Sequence, residues 1–217
     1  MLKLTVVSIK EETSKIKIFK LAYDQNFTFK PGQWIDLRVP IEGKNIGGYT
    51  IISSPDQDGY IELAVRSSLN HPVTKYLHQN LKVGDTLWSS KAQGRFLLAD
   101  EILNSPIVFI AGGIGITPIL SMIRTLASKK SSFKLFYSVS YREDIVLQEE
   151  LSPFANIIMT KEGDPRISVQ TLKENGVDFN LQPHFFICGP KGMIDSLNIE
   201  LKNSGVPDKN IHFEKWW

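Results

Sequence analysis

Cysteine is almost absent from this chain: Cys188 stands alone among 217 residues. One thiol excludes an internal disulfide, a zinc site of several cysteines and a cysteine-ligated iron–sulfur cluster. The four histidines, His71, His78, His184 and His212, show no metal-ligand spacing, so no metal site is expected. Charge of one sign is lacking too. A net charge of +2 with dispersed lysines leaves no footprint for nucleic acid. No apolar run is long enough to span a bilayer; the longest, residues 107–123, is broken by Gly112, Gly113, Gly115 and Pro118. Met1 leads straight into the alternating Leu2-Lys3-Leu4-Thr5-Val6-Val7, without the charged head and apolar run of a signal peptide. The expectation is a soluble cytoplasmic protein; a mitochondrial one would need a transit peptide removed ahead of this numbering. What remains, 42% hydrophobic and 22% charged residues, is globular composition sufficient to bury a core without staples.

The chain has two halves of different period. Alternation over residues 3–9, 15–21, 33–39, 49–53, 60–66 and 85–90 predicts short strands. Ile16, Ile18 and Leu21 are expected to point inward. Turn signals separate the strands: Lys30-Pro31-Gly32, Gly47-Gly48, Asp56-Gln57-Asp58-Gly59 and Val83-Gly84-Asp85. Many short strands at near-regular spacing predict an antiparallel sandwich or barrel. A helix over 72–79 interrupts them, with Pro72 suited to its first turn. After a linker over 99–105 the pattern alternates strand and helix. Strands are expected at 107–111, 133–140, 157–160, 185–188 and 211–216, and helices at 117–128, 144–151, 168–175 and 193–203. That order predicts right-handed crossovers and a parallel sheet.

The sharpest chemical signal is the run from Ile107 through Ala111-Gly112-Gly113-Ile114-Gly115-Ile116-Thr117-Pro118. A buried strand ends, glycines turn the chain, and a helix begins with Thr117 as expected N-cap and Pro118 at the first helical position. Glycines let backbone approach a pyrophosphate, and the helix start offers free N–H groups. The spacing differs from the standard Rossmann fingerprint. The competing reading is a glycine turn used only for packing. A second loop, Cys188-Gly189-Pro190-Lys191-Gly192-Met193, also follows a strand and opens a helix. It should lie beside the first at the carboxyl edge of the sheet.

A barrel, then Gly-Gly-x-Gly-x-Thr-Pro after an apolar strand, then Cys-Gly-Pro-x-x-Met, resembles the ferredoxin–NADP reductase superfamily along nearly the whole chain. The resemblance implies an N-terminal antiparallel Greek-key β-barrel over residues 1–99 that binds FAD. It also implies a C-terminal α/β domain over residues 100–217, a parallel sheet that binds NADH or NADPH. The superfamily's flavin motif, Arg-x-Tyr-Ser/Thr, reads Gly47-Gly48-Tyr49-Thr50 here, so the phosphate-pairing arginine is absent. Tyr49 would pack on the flavin, the Thr50 hydroxyl would lie near flavin N5, and Ser53 would border the site. A Gly-x-x-Ser/Thr helix start reads His71-Pro72-Val73-Thr74, leaving Val73 and Thr74 for the flavin pyrophosphate. Arg66 or Lys75 would supply the missing charge, against the plainer reading of solvated surface cations. Gly94 with Phe96 matches a turn that closes over the site or is simply a turn.

The implied activity is a hydride transfer from NAD(P)H to FAD, with electrons passed on to an acceptor the sequence does not identify, a protein among the candidates. Cys188 would flank the nicotinamide. Gly112, Gly113, Gly115, Thr117 and Pro118 would hold the pyrophosphate, with Gly189, Pro190 and Met193 beside them. Ser140 and Arg142 would meet a 2′-phosphate, which Glu143 and Asp144 would repel unless turned away. Glu214 matches a glutamate that precedes a C-terminal aromatic in the superfamily, so Trp216 would stack on the flavin and Trp217 would extend that cover. Thr50, Cys188 and Trp216 are thus the expected catalytic residues. Two other readings stay open: a nucleotide-binding module without flavin, and an electron-transfer subunit of a larger complex.

Overall fold

The computed structural model describes residues 1–24, 26–57, 59–129 and 131–215. Six strands form the first sheet: β1 (Leu2–Thr13), β2 (Ile16–Tyr23), β3 (Trp34–Arg38), β4 (Ile46–Thr50), β5 (Tyr60–Arg66) and, after helix α1 (Pro72–Gln79), β6 (Thr86–Ser89). They pair antiparallel in the order β4-β3-β6-β1-β2-β5. β6 returns through α1 to lie between β3 and β1, a Greek-key crossing. The outer strands then meet. Ile51 bridges Leu63, and the Ile52 N–H donates to the Glu62 carbonyl at 2.8 Å. The sheet thus curls into a barrel with little free edge.

Gly47 and Gly48, expected as a turn, lie inside β4 opposite Leu37 and Asp36. A Cβ on Gly47 would stand 3.0 Å from the Tyr49 ring and 3.1 Å from the His71 ring. The strand is stripped of side chain there because two rings use the space. β2 buries both faces. Phe19 and Leu21 fill the barrel, whereas Ile16 and Ile18 point the other way, into a core shared with the second sheet.

That second sheet contains β7 (Ile107–Gly112), β8 (Phe133–Val139), β9 (Ala155–Met159), β10 (His184–Gly189) and β11 (Ile211–Lys215), with α2 (Ile116–Ser128), α3 (Gln148–Leu151), α4 (Val169–Glu174) and α5 (Lys191–Asn203) between them. All pairs are parallel, in the order β11-β10-β7-β8-β9. All six residues of β7 are buried, as its unbroken apolar run predicts. The expected division at residues 99/100 falls between β6 and β7. Ten of the 13 residues of α2 are buried, because one face packs on the parallel sheet and the other on the barrel residues Ile52, Ala64, Phe96 and Leu98.

Two expected local features differ. The helix predicted over 144–151 shrinks to a 3₁₀ turn at Arg142–Asp144 and the single turn α3. Ile145 and Val146 are drawn into the shared core. Leu147 takes a left-handed backbone (φ 50°) and donates its N–H to Glu12 of β1 at 2.7 Å. Tertiary contact overrides the local preference there. Thr117 does not cap α2, which begins one residue earlier after Gly115; its hydroxyl donates to the Ile114 carbonyl at 3.0 Å.

Polar bonds lock the halves together. Arg124 of α2 reaches Glu62 of β5 at 2.9 Å, Glu150 of α3 at 2.7 Å and the Ile52 carbonyl at 3.0 Å. Burial opposes its charge, but the two carboxylates outweigh that and raise its pKa. Lys15 pairs with Asp144 at 2.9 Å. The Ser121 hydroxyl donates to the Ser53 carbonyl at 2.7 Å. Among the described residues, no helix is long and apolar enough to cross a membrane.

Candidate functional site

A cavity of about 390 Å³ opens at the carboxyl ends of β7, β8 and β9. Ligands bind at this edge in open α/β sheets, and the volume suits a small-molecule site. Gly112 and Gly113 line it with Ser138 of β8, Ser140 just after that strand, and Thr160 and Arg166, which follow β9 in the chain. Pro190 and Met193 wall the side toward α5, and Arg66 arrives from the barrel. The sheet thus brings together Arg66, Gly112, Gly113, Ser140, Pro190 and Met193 from the expected set.

The glycines of the loop have different tasks. Gly113 has φ +53° and, among the described residues, nothing within 4 Å of where a Cβ would be. Its open face is room for a ligand. Gly115 is a packing glycine: a Cβ would sit 2.4 Å from the Cys188 carbonyl oxygen. Gly112 and Gly189 are close-packed on each other, their missing Cβ atoms 2.6 Å from Pro190 and 2.9 Å from Gly112 respectively, which seats the two loops side by side. The packing reading of the loop therefore holds at Gly112, Gly115 and Gly189, and Gly113 is the glycine left open. Thr117 and Pro118 are buried beneath it.

The charge around the cavity is one-sided. Among the described residues, Arg66 and Arg166 line it and no carboxylate does. The nearby acids are engaged elsewhere. Asp144 pairs with Lys15, Glu162 accepts the Arg142 N–H at 2.6 Å, and Asp164 accepts the Met159 N–H at 2.7 Å. Arg142 does not join this cavity; its side chain lines a separate groove with Glu12, Glu143 and Glu149. Arg166, Ser138 and Thr160 were missed by sequence reasoning. The available signal was their position at or after the ends of parallel strands.

The barrel contributes a hydrogen-bonded chain. The Tyr49 and Thr74 hydroxyls are 2.9 Å apart, and the Thr74 hydroxyl lies 3.2 Å from His71 Nδ1. The Thr74 N–H donates to the same nitrogen at 3.3 Å, so His71 is the N-cap of α1. Burial pushes the Tyr49 phenol up to about 12, against the opposing bond from Thr74. Burial, then Lys44, holds His71 below the ordinary imidazole value. A phenol, a hydroxyl, an imidazole and a helix-start amide are a donor set suited to a flavin and its phosphates.

Other expected residues sit differently. Thr50 is buried. Ser53 is fully buried between the halves, its hydroxyl accepting the Glu62 N–H at 3.1 Å. The Val73 side chain is fully buried in the barrel core. Gly94 packs against the Trp34 ring, and Phe96 lies in the shared core edge-on to Phe186. Cys188 is fully buried in that same core. Burial, then Glu214, pushes its thiol well above the ordinary range, so it is not a poised nucleophile. Trp216 and Trp217 lie outside the described residues.

Residues 3–97 match the oxidoreductase FAD-binding domain and residues 109–198 the oxidoreductase NAD-binding domain. The chain is 32% identical over 245 residues to oxidoreductase NAD-binding domain-containing protein 1 of Homo sapiens, across 95% of this chain and 77% of that protein. Its fold matches the flavohem-like FAD/NAD-binding domain of a nitric oxide dioxygenase from Vibrio cholerae (TM-score 0.87, 22% identity, 99% and 98% of the two chains). It also matches a ferredoxin NADP⁺ reductase from Neisseria gonorrhoeae with bound FAD and NADP (TM-score 0.81, 20% identity, 99% and 98%). The chain therefore belongs to the family of oxidoreductase NAD-binding domain-containing protein 1, FAD- and NAD-binding oxidoreductases with the two-domain fold of ferredoxin–NADP reductases.

Proposed function

We propose that this chain is an NAD(P)H-dependent flavoprotein reductase that moves reducing equivalents from a nicotinamide dinucleotide through FAD to an acceptor outside these residues. The observation that carries the reading is the cavity at Gly113, walled by the parallel sheet on one side and reached by the barrel's Arg66 on the other. Ligands of the two halves would meet at that junction, where positioning is the protein's main task. Bound FAD supplies the hydride acceptor. Gly113 gives the dinucleotide access to the backbone amides of the loop before α2. Tyr49, Thr74 and His71 offer the polar face on the barrel, with Thr50 behind them. Arg124, clamped between Glu62 and Glu150, holds the two faces at a fixed separation. We assign flavin binding to residues 1–99 and nucleotide binding to residues 100–217. A lone cysteine cannot ligate an iron–sulfur cluster, so the electrons pass to an acceptor outside residues 1–217. The test is anaerobic mixing of the FAD-reconstituted chain with NADH and with NADPH. Bleaching of the flavin's visible band by at least one supports the reading; failure to retain FAD, or no bleaching by either, overturns it.

A further inference from the structure

Two of the four histidines face each other. His71 Nδ1 accepts from the Thr74 N–H, and His78 Nε2 lies 2.9 Å from the Val65 carbonyl oxygen. His184 opens β10, and His212 is the second residue of β11. The two are 28 residues apart in the chain, a spacing that signals nothing by itself. Strand pairing brings them together. Phe186 and His212 are register partners, and alternate residues of a strand share a face, so His184 and His212 lie on one face of the sheet. His184 Nδ1 and His212 Nε2 are 3.0 Å apart.

The rings meet edge to edge. Their planes differ by 14° and their centroids are 5.4 Å apart, farther than the nitrogens by about the width of one imidazole. Each ring therefore aims a nitrogen at the other, and one of those nitrogens carries the hydrogen between them. Burial lowers both pKa values, aided by Lys209 at His184 and by His184 at His212. The pair is thus neutral near pH 7, the form in which imidazole binds metal. His212 is steadied from another side by Phe186, nearly parallel to it at 4.5 Å. β11 is the edge strand of its sheet and both histidines are half-buried, so an ion has a path to them.

Two imidazole nitrogens this close can chelate one ion. In a tetrahedral site with zinc–nitrogen bonds of about 2.0–2.1 Å, two ligand nitrogens stand about 3.3 Å apart. The pair must open by about 0.3 Å to match, and the rings must tilt until both lone pairs point at the ion. The shared hydrogen passes through water to the outer nitrogen of its own ring, so no proton is released at neutral pH. Imidazole suits Zn²⁺ and Cu²⁺, whereas Mg²⁺ and Ca²⁺ take oxygen ligands. Among the described residues no third histidine, cysteine or carboxylate completes the set, so water fills the remaining positions. Lys209 opposes any cation here, and the two nitrogens must outweigh it.

We propose that His184 and His212 form a two-histidine site for a divalent transition ion, Zn²⁺ or Cu²⁺, which clamps the edge strand β11 to β10 near the amino ends of these strands, away from the nucleotide cavity. The site does not depend on the reductase reading.

The test is calorimetric titration of the full chain, free of any affinity tag and stripped of metal by a chelator, with ZnCl₂ and with MgCl₂. One Zn²⁺ per chain should bind, and Mg²⁺ should not. His184→Gln and His212→Gln should each weaken Zn²⁺ by about tenfold or more, and His78→Gln should leave it unchanged. Zn²⁺ should raise the urea midpoint of the wild type, because it binds the folded state, and should leave that of the double variant in place. The same urea curves, recorded without metal, show that the variants fold. Electron paramagnetic resonance with Cu²⁺ should show coupling to two imidazole nitrogens in the wild type and to one in each single variant. No saturable Zn²⁺ binding, or binding that either substitution leaves unchanged, overturns the proposal. So does a copper spectrum whose nitrogen coupling is the same in the wild type and the double variant.

Discussion

The two faces of the site differ in what a ligand must displace. On the parallel-sheet side, among the described residues, nothing stands against the open face of Gly113 and no carboxylate lines the cavity with its two arginines. On the barrel side, Tyr49, Thr74 and His71 are bonded to one another, and Gly47 lies against two rings. A phosphate entering the first face gains bonds outright. A flavin entering the second exchanges internal bonds for new ones, and such exchange contributes only about 1 kcal/mol net per bond. The nucleotide face is therefore preformed, and the flavin face must be opened. Nucleotide affinity should be set by shape at the glycine loop, flavin affinity by the barrel's own hydrogen bonds.

The largest effect expected from that contrast is at Gly113. Gly113→Val places a branched side chain in the open cavity at φ +53°, where β-branched residues are strained. Loss of nicotinamide dinucleotide affinity by about 100-fold, roughly 2.7 kcal/mol, should accompany unchanged flavin uptake. Titration of each ligand checks this, and equal loss of both would erase the distinction between the faces. Arg124→Ala attacks what joins them. It leaves Glu62 and Glu150 without their common partner and should cost about 3 kcal/mol of unfolding free energy in urea. A cost under ~1 kcal/mol would place the triad among weak surface pairs.

How much of this was legible beforehand follows from the range of the interactions. The loop at Gly112 and Gly113 could be read because its strand–turn–helix context is local. α1 could be read to the residue because Pro72 marks its start and its apolar positions recur at helical spacing. What failed depends on residues far apart. Gly47 looks like a turn until His71 is seen beside it. Ile16 and Ile18 look like barrel interior until α2 is packed on them. The helix expected at 144–151 yields to Glu12, 135 residues away from Leu147. Arg166 sits in a charged loop that reads as solvated surface, and nothing local says that Glu162 and Asp164 turn inward. The motif alone places Cys188 beside the nicotinamide, yet its burial depends on the barrel covering the sheet.

A smaller change would make the barrel face resemble the nucleotide face. His71→Ala removes the cap and frees the Thr74 N–H and hydroxyl. Loss of the cap should cost about 1 kcal/mol of stability, visible as a lower urea midpoint. The freed donors should then tighten flavin binding by about fivefold, because one internal bond fewer, ~1 kcal/mol, is exchanged on entry. Weaker flavin binding in this variant would show that the imidazole itself holds the ligand, and the contrast between the faces would have to be restated.

The smallest effect separates the faces by pH. Among the described residues the cavity is lined by no histidine, the side chain that changes charge between pH 5 and 8, so dinucleotide affinity should be nearly flat there apart from the ligand's own phosphate. The barrel face has His71, whose pKa is lowered by burial and then by Lys44. In the free protein it is neutral, because its Nδ1 accepts from Thr74. Protonation puts a hydrogen on that nitrogen, breaks the cap and adds a positive charge beside the incoming phosphates. A phosphate raises the pKa of a neighbouring imidazole, so the bound state takes up a proton and flavin affinity should rise as pH falls from 7.5 toward 5. Stability of the flavin-free protein should move the opposite way. The unfolded chain binds the proton at the ordinary histidine value and the folded one only at lower pH. The contribution is therefore complete above about pH 6.5 and is lost as pH drops through the lowered value. His78, His184 and His212 are lowered as well, each chiefly by burial, so His71→Gln should flatten the pH dependence of flavin affinity almost entirely but that of stability only in part. A flavin affinity that stays pH-dependent in His71→Gln would assign the titration to another group and remove His71 from the flavin face.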